Sequence, residues 1–112
     1  MRIRIALVLA VLAAVTMLAP SGALAGTKKV KVGNDFFNPG KISIGNGTTV
    51  KFKWDGGVKH NVTYKSGPGK PFASKSTKKS GVNFKKTFKK KGTYKLFCTF
   101  HPDDMKLKVK VH

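Results

Sequence analysis

The sequence predicts an all-β fold, an antiparallel β-sandwich or small barrel of about seven short strands. Apolar and polar residues alternate along most of the chain after residue 26, which is the period of a strand with one buried and one solvated face. Helical periodicity is nearly absent over the same residues. Turn residues separate the alternating runs at intervals of roughly eight to twelve positions, a spacing typical of β-sandwiches.

The first three strands are predicted from the side chains that share a face. Valines alternate with lysines in 29–32, isoleucines alternate with polar residues in 41–44, and apolar residues alternate with lysines in 50–54. Each run therefore has one dry face and one wet face. The Gly-Asn-Gly sequence at 45–47 is typical of a tight hairpin turn, and it predicts that the second and third strands form a hairpin.

Two different kinds of segment follow. Residues 60–64 predict a strand in which His60 shares its face with two apolar residues. Residues 65–81 are polar and rich in glycine, proline and serine, so they predict a mobile loop with Phe72 as its anchor.

Three further strands complete the predicted fold. Residues 82–88, 93–98 and 105–111 again alternate apolar and polar side chains. In the first of these strands Lys86 lies in phase with the apolar residues, which indicates a sheet edge or a β-bulge. His112 ends the lysine face of the last strand, and we interpret it as a surface residue.

The N-terminal residues have the pattern of a secretory signal peptide. Two arginines precede an apolar run over 5–19, and a small-x-small motif at 23–25 precedes a predicted cleavage site. An uncleaved membrane anchor is the alternative, but the run is shorter than the ~20 residues of a spanning helix. We therefore expect residues 1–25 to direct export to a periplasm or the extracellular space, and residues 26–112 to form one domain.

A strong positive charge limits the partners of the chain. It has 23 lysines and arginines against 4 acidic residues, and every basic residue after position 25 is a lysine. Nucleic acid is disfavoured, because export is expected and because this region lacks the arginine fork that recognises bases and phosphates. The lysines fit a solvated coat, an acidic partner protein, or peripheral contact with anionic membranes or wall polymers. We expect the protein to be a monomer.

Soft metal ligands are concentrated near the C-terminus. Cys98, His101 and Met105 lie within eight residues, and Cys98 is the only cysteine of the chain. Thiolate and thioether donors favour copper. An exported protein normally pairs its cysteines in disulfides, so a single cysteine needs an explanation, and a metal that binds the thiolate supplies one.

The predicted strand phases bring these donors together. Cys98 ends one strand facing inward, Met105 begins the next strand facing inward, and His101 lies in the connection. His60, near the start of its own strand, is the candidate fourth donor. Two imidazoles, a thiolate and a long axial thioether suit copper in both oxidation states. A structural zinc site gains little from methionine, and a Cys–His nucleophile lacks a recognisable oxyanion site and orienting third group.

Several short motifs occur in a characteristic order along residues 26–112. They are Phe37-Asn38-Pro39, Gly47-Thr48-Thr49-Val50 leading to Trp54, His60-Asn61-Val62, Gly92-Thr93-Tyr94, and Cys98-Thr99-Phe100-His101-Pro102. These motifs resemble those of the cupredoxins, the small blue copper proteins of the plastocyanin, pseudoazurin and amicyanin type.

The resemblance implies a Greek-key β-sandwich that binds one type 1 copper ion and transfers electrons without being an enzyme. By similarity, His60, Cys98 and His101 are the equatorial ligands and Met105 is the axial ligand. Asn61 corresponds to an asparagine that braces the cysteine-bearing loop in that family; a loop asparagine bonded to solvent is the alternative.

One feature departs from the family pattern. Plastocyanin-like loops enclose four residues between the second histidine and the methionine, and amicyanin-like loops enclose two, whereas His101 and Met105 enclose three. A water or a backbone oxygen is therefore an alternative axial ligand. Asp103 and Asp104 lie in this connection, where we interpret them either as charges that lower the reduction potential of the copper or as a solvated turn.

The sequence thus favours a secreted one-electron carrier whose electrons leave through the edge of His101, near Phe100 and Pro102. A protein that binds or delivers copper without redox traffic is the alternative, and a lysine-coated adhesive protein is a third reading. For the carrier, we expect a redox partner protein with an acidic surface, because opposite charges accelerate encounter.

Overall fold

The computed structural model describes residues 26–112, which form eight β-strands. The strands are β1 (Thr27–Gly33), β2 (Phe36–Asn38), β3 (Lys41–Ile44), β4 (Thr48–Trp54), β5 (Thr63–Ser66), β6 (Gly81–Phe88), β7 (Gly92–Phe97) and β8 (Lys106–Val111). The predicted export signal, residues 1–25, lies outside the described residues. Within the described part of the chain, no helix has the length and apolar character needed to cross a membrane.

The strands form two four-stranded sheets, which confirms the predicted all-β sandwich. The order is β2-β1-β4-β6 in the first sheet and β3-β8-β7-β5 in the second. Each sheet contains one parallel pair, β1 with β4 and β3 with β8, beside antiparallel neighbours, so the sandwich is mixed where an antiparallel one was expected. Parallel neighbours need a crossover connection, and here the chain supplies it by passing through the other sheet.

The predicted hairpin at 45–47 is wrong. β3 pairs with β8 in the second sheet, whereas β4 pairs with β1 and β6 in the first sheet, so this turn carries the chain between sheets. Its backbone is held from both sides: Asn46 N donates to His112 O at 2.9 Å and Gly47 N donates to Phe88 O at 2.7 Å. A glycine turn permits a sharp reversal but does not determine which strands pair afterwards.

Two other elements differ from the prediction. β2 was not expected, because its three residues are too few to show alternation. The strand predicted over 60–64 begins only at Thr63, and His60 instead makes an isolated bridge with Thr77. His60 is nevertheless buried, as the predicted phase required.

An aromatic side chain and several backbone hydrogen bonds hold the long loop between β5 and β6 against the sandwich. Phe72 packs against Tyr64, Phe84 and Phe88, with ring centroids 5.6, 6.2 and 6.0 Å away, which agrees with its predicted role as an anchor. Lys86 lies 4.5 Å from the Phe72 centroid in a cation–π contact. β6 is an edge strand, as Lys86 indicated, whereas its register shift against β4 falls between Phe52 and Lys53 and not at Lys86, which pairs regularly with Val50.

The core lies between the sheets and consists of the inward-facing residues of the alternating runs. Its fully buried large side chains are Trp54, Phe52, Phe88, Leu96, Met105, Leu107, His60, Val30, Val32, Val50, Val62 and Val109. Met105 and His60 lie near one end of this core, where they meet the only cysteine.

Candidate metal centre

The β7–β8 connection carries three of the four predicted site residues in a compact loop. Because Phe97 pairs with Lys106, the ends of the two strands are adjacent. Cys98 N donates to Met105 O at 3.2 Å, His101 N donates to Cys98 O at 3.1 Å, and Met105 N donates to His101 O at 3.0 Å. These bonds fold the loop back on itself, with Cys98 and Met105 buried at its base and His101 nearer the surface.

His60 reaches the same end of the sandwich from the β4–β5 connection. Its backbone exchanges two hydrogen bonds with Thr77, both of 3.0 Å, and its carbonyl accepts the indole N–H of Trp54 at 3.4 Å. The chain turns just before it at Gly56, whose φ of 99° is in the region that favours glycine. The backbone of His60 is thus fixed by bonds to the loop and to the core.

The side chains of His60, Cys98 and His101 converge. The Nδ1 atom of each histidine lies 3.9 Å from Cys98 Sγ, and the donor atoms of the three residues all lie within 4.8 Å of one another. Typical bonds of about 2.0 Å to nitrogen and 2.3 Å to sulfur, at a trigonal angle, would separate nitrogen and sulfur by about 3.7 Å. The spacing therefore fits a single ion bound between these three donors.

Met105 lies beside this set, where its carbonyl oxygen accepts the Cys98 N–H. Its side chain is fully buried, as is that of Cys98. The structure thus brings all four predicted residues to one end of the sandwich, although they come from two separate parts of the chain. Two imidazoles with thiolate and thioether sulfur are the donors expected for copper, and thioether is a poor ligand for structural zinc.

The surroundings of His60 favour the neutral form of its ring. Burial lowers the pKa of His60 below its ordinary value of 6.5, repulsion from His101 lowers it further, and attraction to Asp35 opposes these effects. The Nε2 atom is buried without a hydrogen-bond partner among the described residues. A bond to a metal from Nδ1, the nitrogen that faces Cys98 Sγ, would offset part of the cost of burying this ring.

Asn61 ties the His60 segment to the cysteine loop. Its carboxamide nitrogen donates to Thr99 Oγ1 at 2.7 Å and to Ser76 Oγ at 3.0 Å. Its carbonyl oxygen accepts the Thr99 backbone N–H at 3.0 Å and the Thr63 hydroxyl at 2.9 Å. The expected bracing role is confirmed, and the alternative of a solvent-bonded loop asparagine is excluded.

Asp35 was not predicted as part of the site. Its carboxylate lies 3.0 Å from His101 Nε2, so the outer nitrogen of that ring is paired with an acid. Asp35 belongs to the two-residue turn between β1 and β2 and has a φ of 66°. The sequence offers no signal for this contact, because nothing local relates a turn of the first sheet to the ligand loop of the second.

The burial of Cys98 argues against the alternative that this residue is a catalytic nucleophile. The side chain is fully buried at the base of the loop. A catalytic thiol must reach a substrate, so this position disfavours covalent catalysis.

Comparison with known proteins assigns the family. Residues 25–112 match the model of copper-binding proteins of the plastocyanin/azurin family. Amicyanin-alpha of Methylorubrum extorquens is 35% identical over 94 residues, which cover 83% of this chain and 79% of that protein. The chain therefore belongs to the plastocyanin/azurin family of copper-binding proteins.

Solved structures support the same assignment. A reduced tryptophan-to-tyrosine variant of amicyanin matches with a TM-score of 0.68 and 26% identity, over 81% of this chain and 87% of the other. A purple cupredoxin from Nitrosopumilus maritimus matches with a TM-score of 0.65 and 29% identity, over 76% of this chain and 99% of the other. The predicted cupredoxin resemblance and type 1 copper cofactor are confirmed. The family consists of electron-transfer proteins, which agrees with the expectation that the chain is not an enzyme.

Proposed function

We propose that the protein is an exported one-electron carrier with a single type 1 copper site. His60, Cys98 and His101 would hold the ion, and Met105 would be its fourth ligand. The observation that carries this proposal is the meeting of two imidazole Nδ1 atoms with one buried sulfur, each at 3.9 Å. When bound, copper supplies the one-electron redox step, because it cycles between its two oxidation states.

The protein supplies a preformed set of metal-binding side chains that is mostly shielded from water. Hydrogen bonds fix the backbone of His60 and of the Cys98–Met105 loop, so little rearrangement is needed when the charge of the ion changes. The pairing of Asn61 with Thr99 locks the two donor segments together.

His101 is the proposed route for electrons. It is the only one of the three clustered donors with appreciable exposure, 27% of its side chain. The neighbouring Phe100 is 49% exposed, and it offers an apolar contact beside the ring. A partner that docks here approaches the ion through one imidazole.

The proposed carrier is exported and has an acidic redox partner. Residues 1–25 direct the chain to a periplasm or the extracellular space, where the unpaired Cys98 is protected by the metal rather than by a disulfide. The copper-loaded domain acts as a monomer, and its redox partner presents an acidic surface that complements the lysines. Anionic membranes or wall polymers are further surfaces to which this charge is suited.

Addition of Cu(II) to the metal-free domain tests the carrier function. We expect uptake of one equivalent and a reversible one-electron wave in voltammetry. A tight complex without reversible voltammetry would instead support copper binding or delivery, and no copper uptake would leave only the adhesive alternative.

A further inference from the structure

The contact between Asp35 and His101 joins the two sheets at the proposed copper site. Asp35 lies in the β1–β2 turn of the first sheet, whereas His101 lies in the β7–β8 loop of the second. Asp35 Oδ1 is 3.0 Å from His101 Nε2, which is hydrogen-bonding distance. The other ring nitrogen, Nδ1, is the one that faces Cys98 Sγ.

We propose that Asp35 is a positioning residue for copper: its carboxylate accepts the Nε2–H of His101, orients the ring toward the ion and favours the oxidised state. This inference rests on the proposed role of His101 as a ligand.

The contact with Asp35 determines the tautomer of His101. A neutral imidazole carries one N–H, and the hydrogen bond made by one nitrogen decides which nitrogen remains free to bind a metal. A carboxylate can only accept, so Asp35 selects the proton on Nε2. The lone pair is then on Nδ1, on the side of Cys98.

The negative charge of Asp35 affects the oxidation state of the bound copper. A carboxylate that accepts from a metal-bound imidazole makes the ring a stronger donor, and this stabilises the higher charge of the metal. Asp35 should therefore stabilise Cu(II) more than Cu(I). The effect is confined to one imidazole, because His60 Nε2 has no hydrogen-bond partner among the described residues.

The chain offers a matched control for this carboxylate. Asp55 is also partly exposed, but it pairs with Lys31 at 3.6 Å and contacts no histidine among the described ion pairs. Replacement of either aspartate removes the same charge from the protein. Only replacement of Asp35 removes the contact with His101.

The φ of 66° at Asp35 determines the choice of variants. Asparagine and glycine both tolerate this conformation, so either replacement preserves the turn. Asp35→Asn removes the charge and keeps an oxygen that can accept a hydrogen bond. Asp35→Gly removes both the charge and the acceptor.

The first experiment uses the metal-free protein and records the ring nitrogens of His101 by ¹⁵N NMR. In the parent protein we expect the Nε2–H tautomer. Asp35→Gly should produce a mixture of both tautomers, whereas Asp55→Asn should leave the parent spectrum unchanged. A parent protein with its proton on Nδ1, or an Asp35→Gly variant with an unchanged tautomer, would overturn the positioning role.

The second experiment measures the reduction potential of the copper-loaded proteins at high salt, where charge effects through solvent are screened. We expect Asp35→Gly to weaken Cu(II) binding about 10-fold to 100-fold. Asp35→Asn should shift the Cu(II)/Cu(I) equilibrium toward Cu(I) by about tenfold, equivalent to about 59 mV for one electron.

Two results would contradict the preference for the oxidised state: an unchanged potential in both Asp35 variants, or an equal shift in Asp55→Asn. A parent protein that binds no copper would defeat the proposed function itself. The NMR experiment would then still report separately on the pair of Asp35 and His101.

Discussion

His60 is an imidazole enclosed in the core, and its burial makes the metal-free protein sensitive to acid. Burial and the proximity of His101 lower the pKa of His60 below 6.5, so the native state releases this proton at a pH where the unfolded state still holds it. Below that ordinary value the unfolded chain therefore binds more protons, and stability rises with pH.

We predict that the metal-free protein loses stability as the pH falls below the ordinary histidine pKa of 6.5 toward the lowered native pKa of His60. Urea unfolding at several pH values measures the effect as a falling midpoint. The variant His60→Gln should flatten this dependence. A midpoint that stays level or increases toward acid in the parent protein contradicts the prediction.

Asn61 shows how a buried amide can hold two donor segments together. Its replacement by alanine leaves the Thr99 N–H and three hydroxyl groups, those of Thr63, Ser76 and Thr99, without this partner. We expect Asn61→Ala to destabilise the protein by about 1–3 kcal/mol, because four hydrogen bonds to partly buried groups are lost. Chemical unfolding measures the loss.

A surface asparagine serves as the control for this prediction. Asn83 donates one exposed hydrogen bond to Lys79 O at 2.7 Å. Asn83→Ala should change the stability by less than about 0.5 kcal/mol. Equal effects of the two substitutions would show that the bonds of Asn61 to the cysteine loop do not stabilise the protein.

At the scale of the strands, lysines oppose one another directly. The register pairs Lys29 with Lys51 and Lys51 with Lys85, which makes a row of like charges across β1, β4 and β6. The second sheet repeats the arrangement with Lys41, Lys108 and Lys95. Like charges directly opposite each other destabilise a sheet, so these rows oppose folding at low salt.

We predict that Lys51→Thr stabilises the protein by about 0.2–1 kcal/mol at low ionic strength, because it removes the central charge of the row. Lys53→Thr is the matched control: Lys53 faces Lys31, whose charge is paired with Asp55, and on its other side it faces Val82. Urea unfolding at low and high salt measures the difference between the two variants. If repulsion within the row causes this difference in stability, the difference should shrink as salt is added. A difference independent of salt would show that β-propensity alone causes it.

The strands show which parts of the fold local sequence could predict. Alternation located β1, β4, β6, β7 and β8, because half-buried strands impose that pattern on their own residues. The pairing of β3 was mispredicted, since pairing depends on contacts distant in sequence. The same distinction applies to the site residues. The inward strand phase and the soft donor atoms were enough to predict His60, Cys98, His101 and Met105. Asp35 could not be predicted, because it reaches the site only through the packing of two sheets.

For the molecule as a whole, the formal charge of +19 creates a long-range field. We predict that the reduced protein transfers electrons faster to an anionic metal complex than to a cationic complex of matched potential. The advantage should decrease as salt is added, because screening removes electrostatic steering. Stopped-flow rates over a range of ionic strength measure this. Rates that are independent of salt would reject an acidic redox partner.

The optical and electron-spin spectra of the copper-loaded domain, residues 26–112, test the copper site most directly. If the thiolate of Cys98 and the two imidazoles bind one ion, the parent protein will show an intense thiolate-to-copper band in the visible region, and Cys98→Ser will abolish it. A colourless Cu(II) complex in the parent protein, or a band that survives Cys98→Ser, would contradict the assignment.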